Sequence, residues 1–236
     1  VHTIYYLVLV PMVYAAFAVF IVGSIARMIK ILRTPKHPTT LQIFPKKEPA
    51  WLHALSDTFF MPTVLRHNPL LWVFLVLFHG AVLLLVIGHL ELFSDFAVFQ
   101  IIPHEVFIGK GLVGLMAAVS LLYFLFRRFT SPVRDISVAE DYYLLILLFL
   151  TVIFGSEMDW ARRWYDYDVM GVDAYRTYLW SLITFEPQVP DEILFSGHSF
   201  MLVLHVFFAN IFLMVFPFSK IMHTFFALPV NKLRRG

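Results

Sequence analysis

The chain has 236 residues, 60% of them hydrophobic and 14% charged, with a mean hydropathy of +0.78; a soluble domain is about 45–50% apolar and about 25% charged. That excess outruns any water-soluble core, so lipid is part of the solvent. Ten His and no Cys exclude disulfides, thiolate-held iron–sulfur clusters, CxxCH haem attachment and a Cys nucleophile, and a net charge of +2 on so apolar a chain gives no sign of nucleic acid.

A bilayer-crossing helix needs roughly 20 mostly apolar residues, and five stretches qualify. They run about Ile4 to Leu32, Leu70 to Phe93, Val106 to Phe126, Tyr142 to Met158 and beyond, and Ile193 to Phe218 and beyond. The first lacks the basic start and small-residue cleavage site of a signal peptide, so it reads as a span. All five read as helices, because backbone groups in lipid must be satisfied within the segment. The runs are continuous, unlike the alternating ten-residue segments of a barrel.

The first connection, about 47–63 in its central part, repeats Trp51, Leu55 and Phe59 every four residues beside Leu52 and Phe60. That pattern predicts a short amphipathic helix on the inner surface, serving as an interfacial anchor or a partner-docking element. The fourth connection, about 159–191, is rich in Trp, Tyr and Asp. It predicts an acidic aromatic shelf outside the membrane, which covers a lipid-soluble ligand, docks a partner or forms an aromatic belt. Glu157 and Asp159, where the fourth span ends, are expected in its solvated part.

Lys and Arg concentrate in the first connection, the third connection and the C-terminal tail, while the second and fourth connections are acidic. The positive-inside rule then puts the N-terminus outside and the C-terminus in the cytoplasm. The expected fold is all-α, an integral membrane bundle of five transmembrane helices, with residues 1–236 forming one multi-pass domain in the cytoplasmic membrane.

Ionisable groups inside a span are costly and point to function. The second span holds His79 and His89, ten residues or about 15 Å apart along the axis. The fifth holds His198, His205 and His223. His205 and His223 are eighteen residues apart, five full turns, which predicts one shared helix face, and His198 falls within about 20° of it. Two His on one span facing two on another suit bis-histidine b-type haem, whose iron takes a neutral imidazole nitrogen on each side. Gly80 and Gly88 let a flat macrocycle approach the backbone. A His-relay transporter and a haem-free membrane anchor are the alternative readings. Axial rise alone does not choose the pairs, since His198 and His205, about 10.5 Å apart, match the second span better than His205 and His223 at about 27 Å.

The residues resemble the gamma-subunit family of respiratory nitrate reductase over nearly the whole chain. The second span has the family's layout as Phe78-His79 through Gly88-His89. Pro103-His104-Glu105-Val106 looks like its Pro-x-Glu-Val turn, and Arg127-Arg128 through Ser131-Pro132 and Val133-Arg134 looks like its inner-loop segment. Phe216-Pro217-Phe218-Ser219-Lys220-Ile221-Met222-His223, followed by Pro229-Val230, is similar to the end of its last span. The resemblance implies two haem b groups, His79 with His223 on the cytoplasmic side and His89 with His205 on the outer side. It also implies menaquinol or menaquinone near the outer haem. Lys110 and His104 are the polar candidates there, and His198, which has no counterpart in the pattern, is a further candidate for quinone or a haem propionate.

The fourth connection departs from nitrate reductase and resembles the DsrM/TmcC-type cytochrome b subunits of sulfur-metabolising membrane complexes. That branch implies a cytoplasmic iron–sulfur partner related to heterodisulfide reductase, and often a periplasmic multihaem cytochrome c and other membrane subunits. The implied role is a quinol-oxidising or quinone-reducing electron-transfer subunit, with terminal catalysis on a partner. Having no Cys, this chain leaves every iron–sulfur cluster to that partner.

Overall fold

The computed structural model describes residues 2–34, 46–94, 111–164, 172–195 and 199–235. Every regular element among them is helical: α1 His2–Leu9, α2 Pro11–Arg33, α3 Ala50–Phe59, α4 Pro62–His67, α5 Pro69–Glu91, α6 Leu112–Arg128, α7 Ala139–Trp164, α8 Val172–Ile183, α9 Asp191–Phe195, α10 Ser199–Val215 and α11 His223–Arg235. Four helical stretches are long and apolar enough to cross a membrane: His2–Arg33, Pro69–Glu91, Ala139–Ala161 and Ser199–Phe218. The expected third span corresponds to α6, 17 residues long; its expected start at Val106 lies outside the described residues. The described helices therefore give four candidate spans, and a fifth span and the sidedness are expectations from the sequence.

The described residues form two compact units. One comprises Val1–Phe17 and Leu77–Phe212. Its main core gathers Val8, Leu9, Val10 and Val13 of the first span with Tyr178, Leu182, Ile193, Leu202 and Val203. The expected outer shelf is thus helical over α8 and contributes two core residues, four apart and so on one helix face. Pro11 explains how α8 is anchored. A proline has no N–H to give and crowds the preceding turn, which separates α1 from α2 at Val10. The Leu9 carbonyl in that turn accepts from the Tyr178 hydroxyl at 2.5 Å. The Val8 carbonyl accepts from Asn210 Nδ2 at 3.1 Å. Tyr14 donates in return to the Leu182 carbonyl at 2.9 Å and stacks on Phe185, centroids 5.6 Å apart.

In the same unit α6 packs along α7 with its small side chains inward: Gly114, Ala117, Ala118 and Ser120 are buried. A Cβ at Gly114 would collide with the Ser156 hydroxyl. The turn joining them is held by charge. Asp141, buried at 7% exposure, accepts from the Val138 N–H at 3.0 Å and lies 3.3 Å from the Arg128 guanidinium. This is a carboxylate turned back on the start of its own helix. Arg128 also donates to Ser137 Oγ at 3.1 Å.

The other unit comprises Ala18–Val76 and Leu213–Gly236. The amphipathic segment expected over about 47–63 is resolved into α3 and the start of α4. α3 lies along α11, with Asn231 Nδ2 donating to Thr58 Oγ1 at 2.9 Å. Asn68 caps α5 by accepting the Leu71 N–H at 2.9 Å.

One expectation is overturned here. His205 and His223 do not share a face over five continuous turns, because the helix stops between them. α10 ends at Val215, Phe216–Phe218 and Lys220–Met222 are short 3₁₀ turns, and Ser219 between them is extended at φ −109°, ψ 172°. Pro217 is the cause. It seats against Gly23, where an added Cβ would stand 2.9 Å from its ring carbons. Ser219 Oγ accepts the Ile221 N–H at 3.2 Å. His223 then opens a new helix, α11.

Candidate functional site

α5 carries His79 and His89, and α10 carries His205. His89 and His205 come together with ring centroids 6.0 Å apart and planes 26° from parallel. The two rings are held by different devices. His89 Nδ1 bonds to the Leu85 carbonyl one turn back at 2.6 Å, a contact its own helix supplies. His205 Nδ1 bonds to the Thr151 carbonyl of α7 at 2.8 Å, across helices. Gly155, one turn beyond Thr151, makes room for that ring: a Cβ there would be 2.9 Å from both Cε1 and Nδ1 of His205.

A carbonyl only accepts, so each Nδ1 carries the proton and each Nε2 keeps its lone pair. That is the tautomer a metal ligand needs, with the orienting partner metal-binding histidines normally have. A ring separation of 6.0 Å leaves room for one metal ion to be shared by the two imidazoles. No group of three or more His, Asp or Glu among the described residues is placed to hold a metal ion. Two neighbouring imidazoles suit an iron whose other ligands a macrocycle would supply. Phe154 and Phe208, stacked at 5.6 Å, add flat apolar surface on α7 and α10.

His223 shows the same tautomer by a third device, its Nδ1 bonding to the Lys220 carbonyl of the preceding turn at 3.0 Å. His79 is exposed, its ring lies edge-on to Phe78 at 5.3 Å, and Gly80 beside it has nothing within 4 Å of an added Cβ. A flat group could approach the backbone there. His79 belongs to the first unit and His223 to the second. Lys110, His104 and His198 lie outside the described residues.

Asp159 departs from the expectation of a solvated shelf. It is half-buried, its Oδ2 is shut off from solvent, and it lies against Gly111 at the start of α6, 3.1 Å from where a Cβ would be. Gly111 takes a left-handed backbone, φ +66°, which its missing side chain permits. Sequence reasoning missed Thr151, Gly155, Tyr178 and Asn210. A main-chain carbonyl carries no signal in the sequence. An Asn inside a span does, since a polar amide in lipid needs a partner.

The profile of the family described as nitrate reductase gamma subunit matches residues 62–236, a stretch containing His79, His89, His205 and His223. Two archaeal relatives are both named Hdr-like menaquinol oxidoreductase cytochrome b-like subunit. The one from Archaeoglobus profundus is 28% identical over 89% of this chain and 73% of its own length. The one from Archaeoglobus fulgidus is 28% identical over 92% of this chain and 75% of its own length. The nitrate reductase gamma chain of Bacillus subtilis is 27% identical over 68% of this chain and 74% of its own. The chain is a multi-pass, cytochrome b-like membrane protein and belongs to the nitrate reductase gamma subunit family.

Proposed function

We propose that this chain is the di-haem b subunit of a respiratory complex, exchanging electrons between menaquinol near the outer face and a cytoplasmic iron–sulfur partner of the heterodisulfide-reductase-like kind. The observation that carries the reading is the His89–His205 pair, two imidazoles 6.0 Å apart, each with Nδ1 fixed by a carbonyl. The family implies haem b, and the names of the archaeal relatives support a menaquinol-linked complex with further subunits. Five spans with an outer N-terminus complete the proposal.

When bound, haem b supplies one-electron redox chemistry. His89 and His205 offer their neutral Nε2 atoms to the outer haem. The Thr151 carbonyl and the space at Gly155 set the plane of the His205 ring. His79 with His223 is proposed as the second pair on the motif matches alone. Menaquinol oxidation releases two electrons and two protons, the protons to the outside, and Lys110, His104 and His198 are the proposed quinone-facing side chains. The reverse direction, quinone reduction, uses the same groups.

Spectroscopy of the purified chain tests this. Reduced b-type bands and a pyridine haemochrome count of two per chain are expected, falling to one in His205→Ala. Absence of b-type bands in the chain purified from its native membrane would overturn the reading in favour of a His-relay transporter or a haem-free anchor. Retention of both haems in His205→Ala would overturn the assignment of the pair.

A further inference from the structure

The layer formed by α3 and α11 has a construction the electron-transfer reading does not use. Ala50, Ala54 and Thr58 repeat every four residues along one side of α3. Ala54 is fully buried, and Thr58 takes the hydrogen bond from Asn231. The adjacent stripe, Trp51, Leu52 and Phe59, is 47–64% exposed. On α11, Phe225, Leu228, Pro229, Lys232 and Leu233 share a face by their spacing, and Leu233 is 78% exposed. Where the two helices meet, Ala50, Pro229, Lys232 and Leu233 line a groove of about 400 Å³, apolar along its length with one ammonium.

The charge around this layer is predominantly positive. Residues 46–67 carry three Lys and Arg and residues 220–235 carry four, against Glu48 and Asp57. Lys46 and Lys47, both exposed, precede Ala50 at the groove by four and three residues.

We propose that the α3–α11 layer is a binding site for anionic phospholipid. An acyl chain would lie in the groove and a headgroup phosphate would meet Lys232, Lys46 and Lys47. Exposed Trp and Phe beside Lys are the composition of helices that lie in the membrane interface. The choice of lipid over an acidic protein rests on that aromatic content and on α11 following a membrane span within a few residues. The site depends only on the chain being a membrane protein, so it stands or falls separately from the haem assignment.

The full-length chain in detergent is titrated with phosphatidylglycerol or phosphatidylcholine and the bound lipid counted by native mass spectrometry. Tighter binding of phosphatidylglycerol is expected. Lys46→Gln, Lys47→Gln and Lys232→Gln should each weaken it by about fivefold and leave phosphatidylcholine unchanged. Equal affinity for the two lipids would overturn the proposal. Because the chain has no Cys, Leu52→Cys gives one labelling position for a spin label. In phosphatidylglycerol-containing vesicles the label should be reached by oxygen and shielded from a water-soluble nickel chelate. A label open to the chelate, spin–spin broadening from a second copy, or shielding that appears only on adding an acidic protein would each overturn it.

Discussion

Pro11 and Pro217 each interrupt an apolar helix, and the chain answers them in opposite ways. At Pro11 the carbonyls of Val8 and Leu9 are met by Asn210 and Tyr178 from elsewhere in the unit, and the helix resumes one residue later. At Pro217 the answer is local. Ser219 turns extended and takes the Ile221 N–H, and seven residues pass before α11 begins. Distant side chains meet the carbonyls at the first proline, and a neighbouring serine meets the backbone at the second. The first outcome ties α8 to the first span, and the second gives His223 a helix of its own.

The largest way to break this comparison is Pro217→Ala. If the proline ends α10, restoring the N–H lets the helix run on and changes the direction of the His223 ring from the one set by the start of α11. The proposed outcome is loss of one haem by pyridine haemochrome, with the haem proposed for His205 kept. Two haems retained would mean that Ser219 and the packing on Gly23 suffice to end the helix. Next comes Asn210→Ala, which leaves the Val8 carbonyl buried without its donor, at a cost of about 1–3 kcal/mol in thermal unfolding followed by tryptophan fluorescence.

Tyr178→Phe should cost about 1 kcal/mol at neutral pH and also change the alkaline limb. Burial, with Tyr14 adding to it, raises the Tyr178 phenol above its ordinary value of 10.0. The unfolded chain therefore ionises this group first. Its contribution is complete below pH 10.0 and is lost as pH rises beyond. The melting temperature should fall above that pH in the parent and fall less in Tyr178→Phe; equal slopes would remove Tyr178 from the account. The smallest effect is expected for Ser219→Ala, about 0.5 kcal/mol for a lost helix-start acceptor, read in the same unfolding experiment.

The apolar runs made four candidate spans legible, and the cost of an imidazole in lipid singled out His79, His89, His205 and His223, of which the structure brings His89 and His205 together. Counting five turns from His205 to His223 failed because periodicity assumes an unbroken ladder, while Pro217 supplies no N–H and Ser219 leaves the helical region. The Tyr178 and Leu182 spacing was readable as a helix face, yet the acidic residues around it read as solvated shelf. What they pack on is set by the Pro11 turn more than 160 residues earlier, which no local pattern reveals. The same holds for Asp159, whose burial against Gly111 is a tertiary contact between two separate helices.

The carbonyl at Thr151 has a consequence for how this site would respond to mutational scanning. The oxygen that orients His205 belongs to the main chain, so nearly every side chain at position 151 leaves it in place, and only a change that bends the helix removes it. A saturation library scored on haem content should therefore find position 151 tolerant, position 155 restricted to glycine and position 205 restricted to histidine. Judged by tolerance alone, one of the three groups that define this proposed ligand would pass for a bystander.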